Sequence, residues 1–156
     1  MQLFLMRHGE AGYQALSDRD RTLTDTGRYH TSVMSNFLTR LVSEFDLVLV
    51  SPYLRAQQTW QELATHFPEP RKWMTLDDLT PSADPATAAS LVVAYAEQYK
   101  ADKVLVIAHM PLLGYMVSEL VRGTEPPLFA TSGVCLLDIH GEQCHQVWMH
   151  NPHTIN

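Results

Sequence analysis

The chain has 156 residues, 46% apolar and 18% charged, a balance that suits one globular domain with a sizeable core. Its 17 acidic and 11 basic side chains give a net charge of −6, and no basic stripe offsets that charge, so nucleic acid is not expected as a partner. No apolar run approaches the roughly 20 residues that span a bilayer, and no membrane role is expected either.

The first element is Leu3-Phe4-Leu5-Met6, four apolar residues that read as a strand buried on both faces. No basic segment or small-residue cleavage site accompanies it, so a signal peptide is not predicted and the expected location is cytoplasmic. The strand runs directly into Arg7, His8 and Gly9. In open α/β sheets, ligands bind at the carboxyl ends of the strands. A guanidinium fork suits phosphate oxygens, and an imidazole can act as nucleophile, base or metal ligand.

Residues 9–23 read as a polar loop in which Arg19 or Arg21 could fold back over the end of that strand. Thr24 or Asp25 then caps a helix whose apolar face is Val33, Met34, Phe37, Leu38, Leu41 and Val42, extending to about residue 44. A second buried strand, Asp46 to Val50, leads into Ser51-Pro52-Tyr53-Leu54-Arg55. Ser51 as N-cap and Pro52 at the first helical position predict a helix start there. That places Arg55 one turn into a helix, near free N–H groups that favour anions.

Pro68, Pro70, Pro81 and Pro85 punctuate a loop, a short edge strand around Trp73-Leu76, and another loop. Asp84-Pro85 opens a third helix, and Lys103 to Ala108 is a further buried strand that ends in His109. Pro111 starts a fourth helix. Thr131–Ile139 and Cys144–Met149 form a hairpin at one sheet edge, on which Cys135 and Cys144 could face each other as reduced thiols. Alternating strands and helices predict an α/β fold over residues 1–156, a single domain with a mostly parallel central sheet and helices on both faces.

Three buried strands thus end in, or just before, Arg7-His8, Arg55 and His109, which converge on one crevice. There is no thiolate or carboxylate cluster to hold a metal, and His140, His145, His150 and His153 lack any recognised ligand spacing. Neither a metal nor a cofactor is expected. Guanidiniums that neutralise equatorial oxygens beside a neutral histidine fit phosphoryl transfer.

Leu5-Met6-Arg7-His8-Gly9-Glu10 resembles the signature of the histidine phosphatase (phosphoglycerate-mutase-like) superfamily. Arg21-Thr22-Leu23-Thr24-Asp25-Thr26-Gly27, Ser51-Pro52-Tyr53-Leu54-Arg55-Ala56-Gln57-Gln58-Thr59 and Val106-Ile107-Ala108-His109 resemble its later motifs, in order. The short length, Asp78-Leu79-Thr80-Pro81 and His109-Met110-Pro111-Leu112-Leu113-Gly114-Tyr115 are most similar to its SixA subfamily of phosphohistidine phosphatases. The resemblance implies that His8 is a nucleophile that becomes phosphorylated, and that Arg7, Arg21, Arg55 and His109 bind the phosphoryl oxygens. It also implies a phosphorylated histidine-containing phosphotransfer protein as partner and inorganic phosphate as product. Arg19 has no counterpart and is read as a surface residue. Much of the wider family has a glutamate as general acid after the short third strand; here the candidates are Asp78 and Asp18. A small-metabolite phosphatase or mutase, and a catalytically silent phospho-ligand module, are the alternatives.

Overall fold

The computed structural model describes residues 1–155. A six-stranded sheet forms its centre. The strands are β1 (Gln2–Arg7), β2 (Leu47–Val50), β3 (Lys72–Thr75), β4 (Lys103–Ala108), β5 (Val134–His140) and β6 (Gln143–His150). Their order across the sheet is β3-β2-β4-β1-β5-β6. The first four run parallel, and β5 and β6 add an antiparallel edge. The fold is therefore α/β with a mixed, mostly parallel sheet, as the alternation of elements predicts.

The period of two along each strand divides the core. On β1, Leu3 and Leu5 face one way and join Val104 and Val106 of β4. Helices α3 (Pro85–Gln98) and α4 (Leu112–Leu120) cover that face through Ala88, Val92, Leu113 and Met116. Phe4 and Met6 face the other way with Leu105 and Ile107. There α1 (Asp25–Thr39) and α2 (Leu54–Ala64) supply Met34, Leu38, Trp60 and Leu63. The four side chains from Leu3 to Met6 are at most 1% exposed. Burial of each contributes roughly 1.5–3 kcal/mol, which makes β1 a rigid stem for the residues at its end.

The helix starts follow their caps. Thr24 is the N-cap of α1, its Oγ1 accepting from the Gly27 amide at 3.0 Å, so the choice between Thr24 and Asp25 falls to Thr24. Asp84 caps α3 by accepting from the Thr87 amide at 2.9 Å, with Pro85 opening the helix. Two boundaries differ from the pattern. Helix α1 ends at Thr39, although Val42 beyond it remains buried. Helix α2 begins at Leu54 with Tyr53 as N-cap; the Ser51 hydroxyl accepts from the Tyr53 amide and also bonds His109.

The hairpin lies at the sheet edge as expected, but its register does not set the cysteines opposite each other. Cys135 faces Met149, and Cys144 faces Ile139. Both are free thiols. Burial pushes the Cys135 thiol up to about 12, so it acts as a small core residue. Among the described residues, no helix is long and apolar enough to cross a membrane.

Candidate active site

Parallel strands deliver their carboxyl ends to one side of the sheet. β1 pairs with β4 so that Arg7 lies beside Ala108, and the following residues, His8 and His109, emerge together. Their ring centroids are 5.1 Å apart. Arg55 arrives from the first turn of α2, and Arg21 from the loop before α1. Arg7, His8, Arg21, Arg55 and His109 together line a cavity of about 550 Å³, with Glu10, Tyr13, Met110 and Thr131 among its other walls.

Glycines allow the close approach of this loop to α1. A Cβ on Gly9 would lie 2.8 Å from Thr31 Oγ1, and one on Gly27 would run into the Glu10 carbonyl.

His8 is held in one tautomer. Its Nδ1–H donates to the Gly9 carbonyl at 2.7 Å, which leaves the lone pair on Nε2. The Arg55 Nε–H donates to that nitrogen at 3.2 Å. Burial, assisted by the charges of Arg55, Arg7 and Arg21, pushes the His8 pKa down to about 3, although the Gly9 bond pulls the other way. The ring is therefore neutral at pH 7. Thr59 joins the two segments: the Gly9 amide donates to its Oγ1, which itself donates to the Arg55 carbonyl.

Each arginine is fixed by protein acceptors. The Arg7 Nη1 donates to the Phe129 carbonyl at 2.8 Å. Arg21 donates to the carbonyls of Gly12 and Ala11, with Tyr13 packed over its guanidinium, 4.1 Å from ring centroid to Cζ. Asp18 then bridges two of the cations. Its Oδ1 accepts from Arg21 Nη1 at 3.0 Å, and its Oδ2 from Arg55 Nη2 at 3.2 Å. The Asp18 backbone carbonyl takes Arg55 Nη1 at 2.7 Å. Hydrogen bonding from Arg21, with Arg55 adding to it, holds the Asp18 carboxyl below the usual range.

His109 lies 2.7 Å from Ser51 Oγ through its Nε2. Burial above all, then His8 and Arg55, pushes its pKa down to about 2. Tyr53 packs edge-on against its ring at 5.1 Å. Two buried side-chain nitrogens in this region, Arg7 Nε and His109 Nδ1, have no partner.

Neither carboxylate singled out in the sequence lines the cavity, but Asp18, though exposed, bonds to two of the arginines that do, and Asp78 makes no such bond. Asp78 is exposed on a short 3-10 turn after β3 and does not line the cavity. Arg19 is exposed, its guanidinium above Tyr53 at 5.7 Å. The sequence offers no functional reason to single out Ser51 beyond a helix cap, nor Thr59, the Phe129 carbonyl or Met110, all of which the structure brings to the site. Only Ser51 and Thr59 carried a signal, as small hydroxyl residues that prove fully buried within the segment around Arg55. Among the described residues, no group of three or more His, Cys, Asp or Glu side chains is placed to hold a metal ion.

Two imidazoles and three guanidiniums thus meet at the carboxyl ends of the parallel strands of an α/β protein, the edge at which open α/β sheets bind ligands. The family model for the histidine phosphatase superfamily (branch 1) matches residues 3–80, and the chain belongs to that superfamily. It is a homologue of the SixA phosphohistidine phosphatases. It is 42% identical to phosphohistidine phosphatase SixA of Escherichia coli (strain K12) over 134 residues, 86% of this chain and 83% of the relative. The SixA homolog of Haemophilus influenzae is 32% identical, with 96% of this chain and 94% of the relative covered. The solved structure of the protein histidine phosphatase SixA complexed with tungstate superposes with a TM-score of 0.92 at 37% identity, covering 98% of both chains.

Proposed function

We propose that this chain, as a single domain, is a protein phosphohistidine phosphatase, acting on histidine-containing phosphotransfer proteins through a covalent phosphohistidine on His8. The observation that carries this reading is the His8 ring itself: neutral, locked with hydrogen on Nδ1, and with its Nε2 lone pair beside Arg55. A similar chain binds tungstate, an oxyanion like phosphate, which supports the same use of the cavity here.

In the first step the Nε2 lone pair of His8 attacks phosphorus, and the Arg55 Nε–H turns to a phosphoryl oxygen. The P–N bond to the substrate imidazole breaks; its electron pair stays on that nitrogen, and the ring, already carrying a proton on its other nitrogen, leaves as neutral imidazole. In the second step water attacks the phosphoryl group on His8. That P–N bond breaks, inorganic phosphate leaves, and the neutral ring is restored. Arg7, Arg21, Arg55 and His109 hold the oxygens and stabilise the charge throughout. No metal or cofactor takes part in these steps.

The leaving group explains why no strong acid is needed. Imidazole, whose conjugate acid has a pKa of about 6.5, departs far more readily than an alkoxide. Asp18 is unsuited to act as acid, because two guanidiniums keep it ionised. Its role is to orient Arg21 and Arg55. Asp78 has no acid role in this reading, since it is exposed outside the cavity. The setting implied is a cytoplasmic phosphorelay.

The test compares kcat/KM for a phosphorylated histidine-containing phosphotransfer domain with that for phosphoserine peptides and sugar phosphates. The phosphohistidine domain should be the best substrate. A sugar phosphate or phosphoserine peptide turned over more efficiently would replace this reading with that of a metabolite phosphatase or mutase. No turnover of any of them would favour a silent binding module.

A further inference from the structure

Ser51 has no role in the steps above, and it is not the helix cap that its sequence position suggests. Its side chain is fully buried. The Tyr53 amide donates to Ser51 Oγ at 3.2 Å, and that oxygen lies 2.7 Å from His109 Nε2. A hydroxyl has one hydrogen to give and two lone pairs to offer. If the hydroxyl accepted from both Tyr53 and His109, its own hydrogen would have no acceptor in this buried position. With Ser51 donating to His109 Nε2 and accepting from the Tyr53 amide, the hydroxyl is satisfied on both counts. A neutral imidazole bonded in this way carries its single hydrogen on Nδ1. That is the nitrogen left buried without a partner.

We infer that Ser51 is a positioning residue that fixes His109 as the Nδ1–H tautomer, so that this N–H donates to a phosphoryl oxygen held beside His8. The two rings then carry hydrogen on the same nitrogen and use it oppositely. In His8 the backbone takes the Nδ1–H and the Nε2 lone pair is free to attack. In His109 the serine occupies the Nε2 lone pair and the Nδ1–H is free to donate. Arg7 Nε, the other buried side-chain nitrogen without a partner, belongs to a residue of the same cavity wall. The inference rests on the phosphoryl reading for its catalytic consequence, but the tautomer can be tested without any substrate.

The experiment is long-range ¹H–¹⁵N spectroscopy of the histidine rings in the full chain, with and without inorganic phosphate. In the wild type, His109 should have hydrogen on Nδ1, and phosphate should shift that signal. Ser51→Ala should move the ring toward the Nε2–H form and lower kcat by about 10²-fold, the scale of losing one transition-state donor. The His8 signals should be unchanged. Ser51→Thr, which keeps the hydroxyl, should restore the tautomer and most of the rate. Hydrogen on Nε2 in the wild type would overturn the inference whether or not a variant folds. So would a His109 signal that phosphate leaves unmoved, or a Ser51→Ala enzyme with unchanged tautomer and kcat. Failure to turn over phosphohistidine would refute the substrate assignment alone and leave the tautomer to the spectra.

Discussion

The carboxyl ends of the parallel strands and the β5–β6 hairpin both carry histidines, but the two regions use them differently. His8 and His109 are 5% and 1% exposed, among cations, and burial drives both pKa values far below neutrality. The side chains of His140 and His145 are 67% and 65% exposed, beside the Asp138 carboxylate on a sheet edge. A parallel ladder collects several strand ends at one place and buries them under helices on both faces. A terminal hairpin spreads its side chains along solvent. What separates a chemically prepared imidazole from an ordinary one here is topology more than residue type.

The largest effect expected from weakening the prepared region, short of losing the nucleophile, is at Arg55. Arg55→Lys keeps the charge but loses the planar fork and the Nε–H that reaches His8. Turnover measured under saturation should fall by about 10²-fold. A wild-type rate would reduce Arg55 to a buried structural cation.

Asp18→Asn comes next. It keeps one acceptor but loses the charge that bridges Arg21 and Arg55. A loss of about tenfold in kcat/KM is expected, on the scale of one charge-assisted hydrogen bond. The loss should be equal for substrates with good and poor leaving groups. A loss confined to poor leaving groups would make Asp18 an acid after all.

These two residues also mark what the sequence could and could not reveal. Arg7, His8, Arg55 and His109 were readable because each follows directly on a buried apolar strand or opens the helix after one, and parallel strand ends must meet. Arg21 was one of two candidates in a polar loop, separated from Arg19 by family resemblance and then by its bonds to Ala11 and Gly12. The Asp18 bridge, the Phe129 carbonyl under Arg7 and the Ser51 bond to His109 were not readable. They join loops far apart in sequence, and no local periodicity encodes such contacts. Ser51 misled the helix boundary in a related way: its hydroxyl takes the amide of Tyr53, just ahead of α2, and also bonds a histidine 58 positions away.

A further test uses pH. Unfolded His8 and His109 take up protons below about 6.5, whereas the folded rings resist until about 3 and about 2. The unfolded state therefore binds more protons in that window, and stability must fall as pH drops from about 6.5 toward 3. Tm should decline across that range, and His8→Gln should make the decline shallower. An identical slope in wild type and variant would mean that the His8 pKa is not depressed.

The smallest effect belongs to the hairpin. His140→Ala and His145→Ala should leave turnover unchanged and alter stability by no more than about 0.5 kcal/mol, as at other exposed positions. A rate loss in either variant would mean that the sheet edge takes part in function.

The most direct test of the central claim is to quench the wild-type enzyme during turnover of a ³²P-labelled phosphohistidine protein and locate the label. The account predicts a phosphoryl group on His8 that is labile to acid and stable to base, and that is absent in His8→Ala. Label found on another residue, or persisting in His8→Ala, would contradict it.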